Sequence, residues 1–231
     1  MPIFSDNFNR ANEDLDVSAD WTDDTTPGLD YKIVSNEVRV ITANASQLSA
    51  WVNSVSTRTN MIVAATIRLG TNQPAGGVVG RRTAAGTYYS AELSQVGRVL
   101  QIRLLSAGVS SLLVGGSVVH DVGTNYLITF TVNGTSLSAT SVLDSVSTTN
   151  SSITAAGSGG IILYSANAID TVFADTFSIS DVIVPAPALP TPTLPVAGGP
   201  LGAAFSFSDE PYPSYKSQLY LWNLLTGGRF F

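Results

Sequence analysis

Apolar and polar residues alternate with a period of two along much of the first 180 positions. In residues 61–69, Met61, Val63, Ala65, Ile67 and Leu69 fall on one side of an extended chain, with Ile62, Ala64, Thr66 and Arg68 on the other. Successive side chains of a strand point to opposite faces, so this spacing predicts a β-strand. Residues 99–104 repeat it, with Leu100, Ile102 and Leu104 opposite Val99, Gln101 and Arg103. Residues 126–132 gather Ile128, Phe130 and Val132 and run into Asn133-Gly134, after which a returning strand is predicted over 136–142. An Asn-Gly pair between two such runs predicts a hairpin closed by a type I′ turn, in which both central residues have positive φ. Shorter runs at 3–8, 31–34, 37–41, 77–82, 87–93, 161–164 and 172–179 predict further strands, separated by Gly, Asn and Ser. Strands recurring at such intervals describe a sandwich or barrel. A short helical turn is expected near 45–51, and residues 1–182 read as one all-β domain.

The pattern then stops. Six of the chain's eleven prolines fall between Pro185 and Pro200. Proline at that density removes ladder donors and favours an extended polyproline strut, so residues 183–200 are expected to be a linker. Residues 201–231 are apolar and aromatic, with Phe205, Phe207, Tyr212, Tyr215, Leu219, Tyr220, Trp222, Phe230 and Phe231 close together. A segment of that size cannot bury so many rings within itself. Helix from Ser214 to a stop at Gly227, or strand over 218–222, fits it equally. The segment is expected to dock through Phe205, Phe207, Tyr212, Tyr215, Leu219, Trp222, Phe230 and Phe231, on its own sandwich or, as the long spacer favours, on another subunit.

Composition narrows the function. Charged residues are only 12% of the chain and hydrophobic residues 44%, which suits a large core and points toward an oligomer. The net charge of −6 is concentrated in residues 1–30, where Asp6, Glu13, Asp14, Asp16, Asp20, Asp23, Asp24 and Asp30 face one base, Arg10. No Lys/Arg cluster exists to displace counterions from nucleic acid. Cysteine is absent, which excludes disulfides and thiolate metal sites. No apolar run approaches the ~20 residues of a membrane span, and the first residues lack the pattern of a signal peptide. Synthesis in a cytoplasm without export is the expectation.

Three segments carry a family resemblance. Phe4-Ser5-Asp6-Asn7-Phe8-Asn9-Arg10 with Trp21 resembles the opening of concanavalin A-like and laminin-G-like domains. Gly76–Arg82 with Gly86–Leu93 is similar to their central strand pair. Residues 157–164 with 173–179 are similar to their closing pair, where the chain returns beside its first strand. The resemblance implies a two-sheet antiparallel jelly-roll sandwich and no particular activity.

Candidate chemistry is sparse. Some members of that superfamily cleave glucans with a Glu-X-Asp-X-X-Glu strand, and that motif is absent. The only glutamates between Asp30 and Asp181 are Glu37 and Glu92; Glu92 is expected on a solvent-facing strand surface. His120, the one histidine, is expected at the surface in a turn. The acids of residues 13–24, or Asp6 with Asp175, are candidate calcium ligands, but solvated loop charges explain both more simply, so no metal or other cofactor is expected. Arg68, Arg82 (or Arg81), Tyr89 (or Tyr88) and Arg103 are candidates to share one sheet face that binds a sugar through stacking and forked hydrogen bonds.

Three readings follow. In the first, the chain is a non-enzymatic virion component of a tailed bacteriophage (a capsid decoration protein or a head, tail or fibre subunit), anchored by its tail to coat or neighbouring subunits. In the second it is a carbohydrate-binding or adhesin module using the Arg/Tyr face on a cell-surface glycan. In the third it is a glycan-active hydrolase.

Overall fold

A computed structural model of the chain describes residues 2–23, 31–40, 49–71, 74–164 and 171–182. The proline strut and the aromatic tail, with every docking residue named above, lie outside the described residues. So do residue 41 of the expected strand 37–41 and residues 45–48 of the expected helical turn. Residues Met1–Val184 constitute one compact unit.

The described residues form two antiparallel sheets. The nine-stranded sheet contains β1 (Pro2–Asp6), β2 (Glu13–Asp14), β4 (Tyr31–Val34), β5 (Glu37–Val40), β7 (Met61–Leu69), β12 (Asn125–Asn133), β13 (Ser136–Thr140), β14 (Ser145–Thr149) and β16 (Val172–Ser180). Its order is β14-β13-β12-β7-β16-β5-β4-β2, and β1 also pairs with β16. The seven-stranded sheet contains β3 (Trp21–Asp23), β6 (Ser49–Val52), β8 (Ala75–Ala84), β9 (Thr87–Leu93), β10 (Val99–Ser106), β11 (Val109–Val119) and β15 (Ser158–Tyr164). Its order is β11-β10-β9-β8-β15-β6-β3. The only described helix is the 3₁₀ turn Leu15–Val17. Residues 49–51, expected in a helical turn, belong instead to strand β6, where Ala50 and Val52 face the core while Trp51 faces out.

The core lies between the sheets. Met61, Val63, Ala65, Ile67 and Leu69 are buried while their alternates are half-buried, as the period-two pattern requires. Facing them, Val78, Tyr89, Ala91, Leu93, Leu100, Ile102, Ile161 and Leu163 belong to the same cluster. The opening motif is a latch on this core. Asp6 accepts hydrogen bonds from both Arg10 Nη1 (2.8 Å to each oxygen), Trp21 Nε1 (2.9 Å) and the Phe8 amide (2.7 Å). Those bonds hold Trp21 edge-on against Phe177, 4.9 Å between ring centres. The expected closing pair does not pair: β15 lies in the seven-stranded sheet and β16 in the other, where β16 runs beside β1 with Ser5 opposite Ser178.

The β12–β13 hairpin is present, but its turn differs from expectation. Asn133 pairs with Ser136, so Gly134 and Thr135 are the central residues, and of these only Gly134 (φ 59°) is positive. That is the signature of a II′ turn. The I′ pattern occurs at Ser35-Asn36 (φ 55° and 66°), between Val34 and its partner Glu37. No helix among the described residues is long and apolar enough to cross a membrane.

Candidate functional site

The four sequence candidates do not assemble. Arg68 is on β7 of the nine-stranded sheet, whereas Arg82, Tyr89 and Arg103 are on β8, β9 and β10 of the other. Arg68 Nη2 donates to both oxygens of Glu37 at 2.6 Å, and Arg68 Cζ lies 3.8 Å from the centre of the Phe173 ring. Arg39 stacks on the same ring at 4.9 Å. Phe173 is directly opposite both arginines in register, so the three planar groups form one row across β5, β16 and β7. Tyr89 is fully buried in the main core, where its hydroxyl donates to Asn150 Oδ1 (2.7 Å) and accepts from the Ile153 amide (2.9 Å). It is a core residue, not part of a ligand face.

Arg81 and Arg82 separate at a bulge. The register of β8 slips between Gly80 and Ala84, and Arg81 has φ 51°. Arg81 is 1% exposed and donates to the carbonyls of Thr59 (2.6 Å) and Ile153 (2.8 Å), and to that of Gly134. Burial draws its pKa below that of a free guanidinium, against the opposing influence of Tyr89. Arg82 lies over the Trp51 ring at 3.2 Å, on the outer face of the seven-stranded sheet. Arg103 shares that face, but the register runs Arg103, Ser90, Val79, Gly160, Trp51 across five strands. Four inter-strand steps place Trp51 about 19 Å from Arg103.

The same outer face carries groups that the alternation did not single out. Val79, Tyr88, Leu105 and Ile162 form a second buried apolar cluster there. One register row away, Glu92 and Gln101 are directly opposite each other. Glu92 was expected in solvent, yet it is 2% exposed. Its carboxylate accepts from Gln101 Nε2 (2.8 Å) and Ser90 Oγ (3.3 Å), and Arg103 Nε is 3.8 Å away. Burial pushes the Glu92 carboxyl above the usual carboxylate range, while the hydrogen bonds from Gln101 and Ser90 and the charge of Arg103 pull the other way. Around these groups is a cavity of about 230 Å³ lined by Glu92, Gln101, Arg103, Tyr164, Ala75 and the turn residues Ser94, Gln95 and Val96. A carboxylate, an amide, a guanidinium and a phenol thus converge on one small hollow.

One other expectation is corrected. His120 is fully buried rather than exposed, with Nε2 2.8 Å from Ser141 Oγ and Nδ1 against the carbonyls of Arg98 (3.1 Å) and Val118 (3.2 Å). Its partner Ser141 Oγ also accepts the amides of Leu143 (3.2 Å) and Asp144 (3.1 Å). Nδ1 meets carbonyls and the serine oxygen braces a turn, so the pair is structural rather than a hydrolytic dyad. Asp6 does not await a cation, because Arg10, Trp21 and Phe8 already occupy both of its oxygens. Asp175 Oδ1 caps the Thr176 amide at 2.7 Å. Among the described residues no three acids or histidines gather as a metal site.

No family model matches the sequence. No curated protein matches it either. Solved structures do match the fold. One is the carbohydrate binding module CBM66 from Bacillus subtilis, with TM-score 0.54 and 12% identity over 68% of this chain and 91% of that one. Another is the Ca²⁺-bound exoplasmic/lumenal domain of VIP36, with TM-score 0.52 and 9% identity over 74% and 86% of the two chains. A third is the CBM2 module of the evolved Dit of Lactobacillus casei BL23 phage J-1, with TM-score 0.52 and 12% identity over 77% and 94%. At such identities the likeness is one of fold, and what this chain shares with all three is the antiparallel two-sheet sandwich of the lectin-like jelly roll.

Proposed function

We propose that the chain is a non-catalytic carbohydrate-binding module whose ligand pocket is the hollow at Glu92, Gln101, Arg103 and Tyr164. The observation that carries this reading is the convergence of four different polar side chains on one cavity of about 230 Å³. A sugar hydroxyl both donates and accepts, so it is matched by fixed acceptors and fixed donors side by side. Glu92 supplies the first, and Gln101 and Arg103 the second. Glycoside hydrolysis needs two carboxyl groups flanking the bond, and among the described residues Glu92 is the only acid lining the cavity. The fold likeness to two carbohydrate-binding modules supports the reading. The test is glycan-array binding by the whole chain. Wild type is expected to retain a neutral glycan, and Arg103→Ala to weaken it at least tenfold, the worth of one charged hydrogen bond. Equal binding by both would refute the site.

A second reading concerns where the module sits. Its fold likeness to a module of a phage Dit and the proline spacer followed by an aromatic tail favour a virion component of a tailed bacteriophage, displayed as a decoration or as a head, tail or fibre subunit. In this reading the tail rings, Phe205 through Phe231, anchor the module on coat or neighbouring subunits, with homo-oligomerisation on the particle. Truncation after Val184 is then expected to give a folded domain that no longer joins particles, and undiminished incorporation would overturn the reading.

A further inference from the structure

Resting on the carbohydrate-binding reading above, we infer that the pocket takes one neutral sugar residue at the end of a chain, not a stretch within it. Size is the first argument. The hollow of about 230 Å³ is below the roughly 300–1,000 Å³ of sites that enclose drug-sized ligands, so it holds one ring.

Shape is the second. The pocket lies at the end of β9, where the chain turns through Ser94–Arg98 into β10. That turn is braced. The Ser94 amide donates to the Val99 carbonyl (2.9 Å), Ser94 Oγ donates to the Val96 carbonyl (2.6 Å), and the Val99 amide donates to Ser94 Oγ (3.1 Å). Gly97 and Arg98 both have positive φ, 83° and 52°. Gln95 and Val96 also line a separate cavity of about 540 Å³ with Gly70, Pro74, Arg98 and Val119. The turn is therefore a wall common to two hollows, with Val96 78% exposed at its crest. A chain lying along the sheet face stops there.

Charge is the third. Among the described residues Glu92 is the one acid in the lining and Arg103 the one base, 3.8 Å apart. Each offsets the other's charge, and a ligand carboxylate entering the hollow would meet the Glu92 carboxylate. Hydroxyl groups bridge such a pair without that repulsion.

The experiment is calorimetric titration of the full chain with glucose, galactose, mannose and rhamnose, linear neutral oligosaccharides of each up to six residues, cyclodextrin as a gluco chain without ends, and an oligouronate. The expected result is that one monosaccharide binds within about threefold of its longer oligomers, that cyclodextrin and oligouronate do not bind, and that Arg103→Ala and Tyr164→Ala each lose at least tenfold. Affinity that climbs more than tenfold with length, or binding of cyclodextrin, would overturn end recognition and leave carbohydrate binding standing. Preference for the oligouronate would overturn the neutral specificity alone. No binding by any sugar, or binding untouched in both variants, would overturn the carbohydrate reading itself.

Discussion

Replacing Arg81 by Met removes the donor that three separate segments share at one end of the sandwich. The guanidinium reaches the carbonyl of Thr59 before β7, that of Gly134 in the β12–β13 turn and that of Ile153 after β14. It is 1% exposed, so solvent does not replace it. A hydrogen bond to a charged group contributes about 1.5–3 kcal/mol, and three do not simply add because burying the cation costs much of the gain. Met fills a similar volume but donates nothing. The net loss is expected to resemble that of breaking a buried charged network, about 3–5 kcal/mol. For a domain of this size each kcal/mol moves the melting point by roughly 2–4 °C, so Tm should fall by about 6–20 °C. Arg81→Lys should recover only a minority of this, since one ammonium cannot reach all three carbonyls. The assay is urea and thermal denaturation of the whole chain followed by near-UV circular dichroism. A loss below 1 kcal/mol for Arg81→Met would refute the account, because the carbonyls would then have found other partners at no cost.

Two further variants test the sheet that carries the pocket. Glu92 has a carboxyl whose folded pKa is raised by burial, so it binds its proton more tightly folded than unfolded. Its contribution to stability is full below the ordinary carboxylate pKa of about 4.3 and is lost as pH rises through the raised value. Glu92→Gln should therefore flatten the fall in stability above that pH; an unchanged profile between about pH 4 and 7 would contradict the burial. Gly160 faces Trp51 across β15 and β6, and a Cβ there would sit 2.0 Å from the Ala50 carbonyl oxygen. Gly160→Ala should cost about 1–3 kcal/mol, whereas Gly115→Ala, whose Cβ meets nothing nearer than 4.0 Å, should be close to neutral; equal melting points for the two would refute the close approach.

Strands that bury one face are readable because burial and alternation coincide. Residues 61–69 are β7 to the residue. β11 escapes the same reasoning: Val109, Leu112, Val118 and Val119 are exposed among serines and glycines at a sheet edge, so no alternation marks it. β3 and β6 escape because three or four residues are too few to show a period. The Ser35-Asn36 turn is hidden because its positive φ angles are borne by residues other than glycine.

The site was legible only in part, for reasons that are also physical. Period two says that Arg103 and Glu92 share a face with each other and not with Ala91 or Ile102, and they do. It does not say to which sheet a strand belongs, so Arg68, with the same phase, ends on the other sheet. Nor does it survive a bulge, which is why Arg81 and Arg82 exchange the roles of staple and face. It also equates the outer face with solvent, and on the seven-stranded sheet that equation fails for Glu92, Tyr88 and Ile162.

The contrast between the two outer faces explains why function is sought on one of them. On the nine-stranded sheet Arg39 and Arg68 stack on Phe173, and Glu37 pairs with both arginines. A ligand binding there would have to break a bidentate ion pair and two ring contacts before making any of its own. On the seven-stranded sheet Glu92, Gln101 and Arg103 border a hollow. Gln101 and Ser90 hold Glu92 in place, and Ser110 holds Arg103 Nε at 2.8 Å. Side chains fixed in this way lose little entropy when a ligand arrives. A pocket whose donors and acceptors are already oriented gains affinity from hydroxyls that match them, and that preorganisation is what sets this face apart from an ordinary solvated sheet.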